Sequence, residues 1–203
     1  MRGLGVRGTV AAPLVALLAG VWLSACSSDN TATIAQPVCP AGDDGTASNA
    51  VVLMAQSVPT ASYVPCLRTA LPLGWGFHHL DARSDVSVFS LDSDRDGQEA
   101  IKVRLEESCD TSGSTEILSD REGLQRFERV TRTTPHFEGE RYYRFDGGCI
   151  TFEFRLAGES RGEGLALATS AVGVISRADL IEQVHEDSDG RLSLDPGAAE
   201  GEP

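Results

Sequence analysis

Residues 141–156 carry the clearest pattern in the chain, two runs of alternating apolar and polar positions on either side of Gly147-Gly148. A glycine pair supplies the positive φ angles of a type I′ hairpin turn. Side chains alternate across a strand, so Tyr143, Phe145, Ile150, Phe152, Phe154 and Leu156 share one face. Tyr142, Arg144, Asp146, Cys149, Thr151, Glu153 and Arg155 share the other. The first set reads as a core face and the second as a wet one, which is the mark of an antiparallel sheet. Residues 86–91 and 100–105 predict two more strands, the second alternating Ile101, Val103 and Leu105 with Lys102, Arg104 and Glu106 around a tight acidic turn.

Helical spacing is expected in five places. Val51, Val52, Met54 and Ala55 begin a short helix that Pro59 ends, and residues 63–70 form a second turn or two. Pro72, Gly74 and Gly76 then impose an irregular segment. Ser119 with Glu122 forms a capping box, and Leu124, Phe127 and Val130 share one helical face, predicting a helix over residues 120–131. Glu122 with Arg126 and Glu128 with Arg132 would add i,i+4 pairs to it. Leu165, Ala168, Val172 and Ile175 recur near helical spacing, although the Ala and Gly content leaves a strand open for residues 165–174. A further helix starts after Ser176, burying Leu180, Ile181 and Val184 before a stop at residues 187–190. The expected fold is α+β, an antiparallel sheet of hairpins with helices packed on one face and disulfides bracing it.

The N-terminus departs from this pattern. Arg2 and Arg7 lead into an apolar run, residues 9–22, which is shorter than a good membrane span and gives way at once to Ser27, Ser28, Asp29 and Asn30. That layout is a signal peptide. Its ending, Leu23-Ser24-Ala25-Cys26, resembles the lipobox of bacterial lipoproteins. The resemblance covers residues 1–26 and implies cleavage before Cys26, lipid on the Cys26 thiol, and anchoring on the extracytoplasmic face of the cell membrane. Each buried CH2 of such an anchor is worth ~0.8 kcal/mol. It identifies no functional family for residues 27–203. Lys102 is the only lysine, and such arginine-dominated cation use points to a GC-rich, actinobacterial source.

Removing residues 1–25 would take away two arginines and no acid, moving the formal charge of −13 to −15. So acidic a chain is not expected to bind nucleic acid. With 41% hydrophobic and 23% charged residues, the remainder reads as one globular domain. The expected organisation is a cleaved signal over 1–25, lipidated Cys26 and a flexible tether over 26–48, one domain over 49–196, and a disordered tail over 197–203. After Cys26 is used, Cys39, Cys66, Cys109 and Cys149 remain for an oxidising compartment. Four cysteines allow three connectivities; Cys39 with Cys66 and Cys109 with Cys149 is favoured, because each pair lies within one apparent half. No CxxC-type pair supports zinc.

Candidate chemistry is sparse. Asp92, Asp94, Asp96 and Gly97 match the opening of a calcium loop, but Val103 stands where an EF-hand places its bidentate glutamate. A solvated hairpin turn is the favoured reading, with calcium as the one possible cofactor. His78 and His79, beside Asp81, together with His136 and His185, are the raw material for a metal or acid/base site. Adjacent histidines on a regular strand point to opposite faces, so they are expected at the surface or packed in loops rather than on one ion. Trp75 and Phe77 either line a ligand or partner surface or pack against the sheet. Arg121, Arg126, Arg129, Arg132, Arg141 and Arg144 form either a basic patch or neutral pairs with the glutamates between them. No catalytic motif stands out. The expectation is a non-enzymatic lipoprotein that binds an envelope protein or component, with a carrier or sensor of a small molecule or calcium as the alternative, and an unrecognised hydrolase behind both.

Overall fold

The computed structural model describes residues 31–33, 35–40, 45–68, 70–157 and 160–195. The expected signal segment, Cys26 and the tail over 197–203 lie outside the described residues. Helix α1 (Asn49–Ser57) is capped by Ser48, whose hydroxyl accepts from Val51 N at 3.3 Å. Among the described residues ten strands follow or precede it: β1 (Thr31–Thr33), β2 (Tyr63–Leu67), β3 (Trp75–Arg83), β4 (Val86–Ser93), β5 (Gly97–Glu106), β6 (Thr115–Ile117), β7 (Gln125–Arg132), β8 (Phe137–Phe145), β9 (Gly148–Leu156) and β10 (Val172–Ser176). Helices α2 (Arg161–Ala171) and α3 (Arg177–Asp187) flank β10. Among the described residues no helix is long and apolar enough to cross a membrane.

Eight strands form one antiparallel sheet in the order β1-β3-β4-β5-β9-β8-β7-β6, while β2 and β10 pair separately. Two meanders, β3–β5 and β6–β9, therefore meet at the β5–β9 seam. The chain leaves β5 in mid-sheet and re-enters at the far edge through β6. Alternation places Leu80, Phe89, Leu91, Ile101, Val103, Leu105, Ile150 and Phe152 on one face, each fully buried. Met54 of α1, Leu165 of α2, Leu180 of α3 and Val64 of β2 close over that face in a single core. The α+β architecture is as the pattern implied, and both favoured disulfides form, Cys39–Cys66 and Cys109–Cys149.

Several elements differ from expectation. The hairpin turn sits one residue early: Phe145 pairs with Gly148, so Asp146-Gly147 is the loop, and of the two only Gly147 (φ 66°) is left-handed. The predicted type I′ turn on Gly147-Gly148 does not form. A one-residue shift of the turn changes the register by two, so the predicted inward and outward sets survive.

Residues 120–131 are not a helix. Gly123 takes φ 75°, and Ser119 Oγ accepts from Arg121 N at 3.1 Å and donates to Arg121 O at 2.9 Å, closing a local turn instead of capping a helix. The i,i+4 pairs are replaced by cross-strand ones, Arg129 with Glu140 and Arg141 with Glu128. Residues 63–70 are likewise mostly strand β2, and Trp75 and Phe77 lie on β3 rather than in an irregular loop. Residues 165–174 divide between α2 and β10.

The segment read as a flexible tether carries order: residues 31–33 pair with the β3 edge, and Cys39 N donates to Leu67 O at 2.8 Å beside the Cys39–Cys66 bridge. Three residues of Thr-Ala-Thr are too few to show a period, but they satisfy the open hydrogen-bonding edge of β3.

Candidate binding face on the open side of the sheet

Helices cover one face of the eight-stranded sheet, and the other carries the outward set. There charged side chains on neighbouring strands neutralise one another. Arg104 (β5) donates to Glu153 (β9) at 3.0 Å, Arg129 (β7) reaches Glu140 (β8) at 3.0 Å through Nε, and Glu138 takes both Arg132 and Arg155 at 3.3 Å. Tyr142, only 4% exposed, donates to Glu140 at 2.7 Å and accepts from Arg129 at 3.0 Å. An open groove of about 580 Å³ runs over these strands, lined by Glu99, Lys102, Arg129, Glu138, Glu153 and Arg155 among others. A second, of about 290 Å³, lies over β3–β5 and shares Glu99 and Lys102 with the first, so those two residues form the ridge between them.

Burial, and then the Glu140 carboxylate, push Tyr142 up from its ordinary 10.0 to about 12. A raised tyrosine pKa favours the folded state while the phenol is protonated. That contribution is fully present below pH 10.0 and disappears as pH rises through about 12. Alkaline titration of phenolate absorbance in the folded protein should lose one late-titrating tyrosine on Tyr142→Phe, while Tyr143, which burial also raises, stays late in both proteins; equal curves for the two proteins would refute the assignment.

The histidine pair does what its spacing on a regular strand forbids. Phe77 pairs with Leu91 and Leu80 with Phe89, so His78 and His79 together stand opposite Ser90 alone. This β-bulge gives one extra residue to β3, and both imidazoles fall on the open face, ring centroids 4.9 Å apart. His78 Nδ1 lies 2.9 Å from Asp92 Oδ2, and His79 Nδ1 lies 3.2 Å from Ser90 Oγ. A second irregularity, between Leu91 and Ser93 on β4, turns Glu99 of β5 into the left-handed region (φ 51°), where its N–H donates to Asp92 Oδ1 at 2.8 Å. One ring nitrogen from each histidine and one Glu99 carboxylate oxygen thereby lie within 4.8 Å of one another, the only such His, Cys, Asp or Glu group among the described residues. Lys102 Nζ pairs with Glu99 at 3.1 Å.

The other predicted residues are dispersed. Asp92 serves the histidine corner. Asp96 is a turn clamp, its oxygens accepting from Ser93 Oγ at 2.8 Å and Ala157 N at 2.7 Å. Asp94 lies against Gly74. The three carboxylates are thus held by different parts of the protein. Phe77 packs with the core opposite Leu91, and Trp75 borders a recess of about 140 Å³ with Leu73 and Leu167. His136 and His185 lie apart from the His78–His79 corner in sequence and join no such group.

The arginines divide between the faces. Arg129 and Arg144 are outward; Arg126 and Arg141 face the helices, where Arg141 donates to Glu128 at 2.8 Å and to Thr169 Oγ1 at 3.2 Å. Arg121 lies 4.5 Å from the Tyr143 ring centre and donates to Val172 O at 2.7 Å and Thr169 O at 3.2 Å, at the C-terminal end of α2. Burial lowers its pKa below the usual arginine value. Paired charges, rather than a basic patch, are the outcome. Compared with known proteins, this chain matches no family, no curated sequence and no solved structure.

Proposed function

We propose that this protein is an exported lipoprotein, anchored through lipid on Cys26 at the extracytoplasmic face of the membrane, whose α+β domain is a non-enzymatic binding module for an envelope protein or component. The observation that supports it is the bare sheet face. Antiparallel strands fix a broad array of charged side chains there in cross-strand pairs, so the surface is preorganised and loses little side-chain entropy on docking. The Cys109–Cys149 bridge braces the β5–β9 seam of that sheet. A ligand-carrier role is the second reading, favoured by the groove of about 580 Å³, which falls in the size range of small-molecule sites.

Cys26→Ser should abolish the lipid mass increment and move the protein out of the membrane fraction. An unmodified wild-type Cys26 in the intact mass would overturn the anchor. For the module, photoreactive residues placed at exposed Gln98 and Thr131 of the groove, with Glu182 on α3 as control, should capture one abundant protein in intact cells from the groove positions alone. Labelling without capture would overturn the docking reading in favour of the carrier.

A further inference from the structure

We infer that His78, His79 and Glu99 form a binding site for one borderline divalent transition-metal ion, of the zinc, copper or nickel class, at the double irregularity of β3–β5. The site is independent of whether the sheet face docks a partner. Its donor set is two imidazoles and one carboxylate, which selects these ions over calcium or magnesium, whose sites are built from oxygen. Three protein ligands with an open fourth position is the composition of an accessible zinc centre.

Three independent features of the geometry support it. The bulge in β3 overrides the alternation that would separate adjacent histidines, bringing both rings to one face. Each ring is also held at Nδ1, His78 by the Asp92 carboxylate and His79 by the Ser90 hydroxyl. When His79 Nδ1–H donates to Ser90, both rings present the Nε2 lone pair. Metal-bound histidines are oriented by such outer partners, with carboxylates prominent among them. Finally, Glu99 is held in a backbone region that non-glycine residues rarely adopt, pinned there by Asp92, the same residue that orients His78. Backbone outliers of this kind cluster at ligand sites.

The ligand atoms, within 4.8 Å of one another, must close to roughly 3.4 Å for tetrahedral bonds. Rotation of the Glu99 side chain, 37% exposed, supplies the adjustment. Lys102 is the resident competitor: its ammonium pairs with the carboxylate that the ion would take. Metal binding therefore exchanges one cation on Glu99 for another, and the net charge of −13 over the whole chain favours the divalent one.

The test is calorimetric titration of the full-length chain, purified in detergent without a polyhistidine tag and stripped with chelator, using Zn2+, Cu2+ and Ni2+ salts. The expected result is one saturable ion per chain, with His78→Ala, His79→Ala and Glu99→Gln each losing it. Asp92→Asn should weaken binding about tenfold through the orienting contact. Lys102→Met should tighten it about twofold to fivefold, the worth of one exposed ion pair, which a merely structural role for Lys102 would not produce. His136→Ala and His185→Ala should bind as wild type. Thermal unfolding of each variant checks folding; Glu99→Gln, at a half-exposed position, decides the matter if a histidine variant fails to fold. Absence of saturable binding, or undiminished binding in Glu99→Gln and in the folded histidine variants, overturns the site.

Discussion

Arg177→Met will destabilise the domain by about 4 kcal/mol, one of the two largest single losses we expect. Arg177 opens α3, where a positive charge opposes the helix dipole, and it is only 5% exposed. Its guanidinium looks backward instead. It donates to Ala55 O at 2.6 Å, Val58 O at 2.8 Å, Ala61 O at 2.8 Å and Asp195 O at 3.0 Å. Two of those oxygens belong to the C-terminal end of α1, whose last carbonyls have no partner within the helix. One side chain thus caps α1, holds the start of β2 and fixes residue 195. Methionine keeps the volume but leaves buried carbonyls without donors, at about 1–3 kcal/mol each before any water enters. Arg177→Lys should lose less, about 2 kcal/mol, because an ammonium offers three donors without the planar fork. Urea unfolding monitored by circular dichroism measures both. A loss under about 1 kcal/mol for methionine would mean that water replaces the guanidinium at little cost.

What could be read in the sequence follows the locality of the signal. The β8–β9 hairpin was legible because every inward position from Tyr143 to Leu156 is apolar and the turn lies between the strands. Helix α3 was legible because Ser176 caps it, accepting from Asp179 N at 3.0 Å, and Leu180 and Val184 face the core. Strand β7 misled because Leu124, Phe127 and Val130 satisfy a helical period by chance. Its helix-facing side carries Arg126 and Glu128, which pair with each other, and Glu128 also accepts from Arg141 of β8, which in turn donates to Thr169 of α2. With charge on both faces, the strand has no alternation to read.

The histidine corner was half legible. Both histidines were visible as candidates, and regular geometry set them apart. A signal did exist, since Phe77, Leu80 and Ala82 are core-facing in a strand yet Phe77 and Leu80 are three positions apart, one more than alternation allows. Such spacing requires an inserted residue. Glu99 could not have been found that way, because its position depends on how β4 and β5 bend past each other.

Breaking the Cys109–Cys149 bridge should be comparably costly, about 3 kcal/mol. The bridge closes 40 residues, for which loop entropy alone gives about 4 kcal/mol, and strain or residual order in the unfolded chain reduces the yield. Its position matters as much as its length. Glu106, at the end of β5, pairs with Cys149 near the start of β9, and Cys109 lies just beyond, where the chain departs for the far edge of the sheet. The bond therefore fastens the departure point of that crossover to the seam between the two meanders. Without it, the β6–β9 meander must find its register on β5 through strand pairing alone, a non-local step with its own closure cost. Cys109→Ala with Cys149→Ala is the suitable variant, because Cys149 is fully buried and a serine hydroxyl there would add a desolvation cost of its own. The Cys39–Cys66 bridge, over 27 residues, holds the N-terminal segment to β2 outside the seam. Its double alanine variant should retain the cooperative unfolding of the sheet and lose less stability. Comparison of the two variants by urea unfolding separates the effects; equal losses would mean that loop length, and not the seam, sets the contribution.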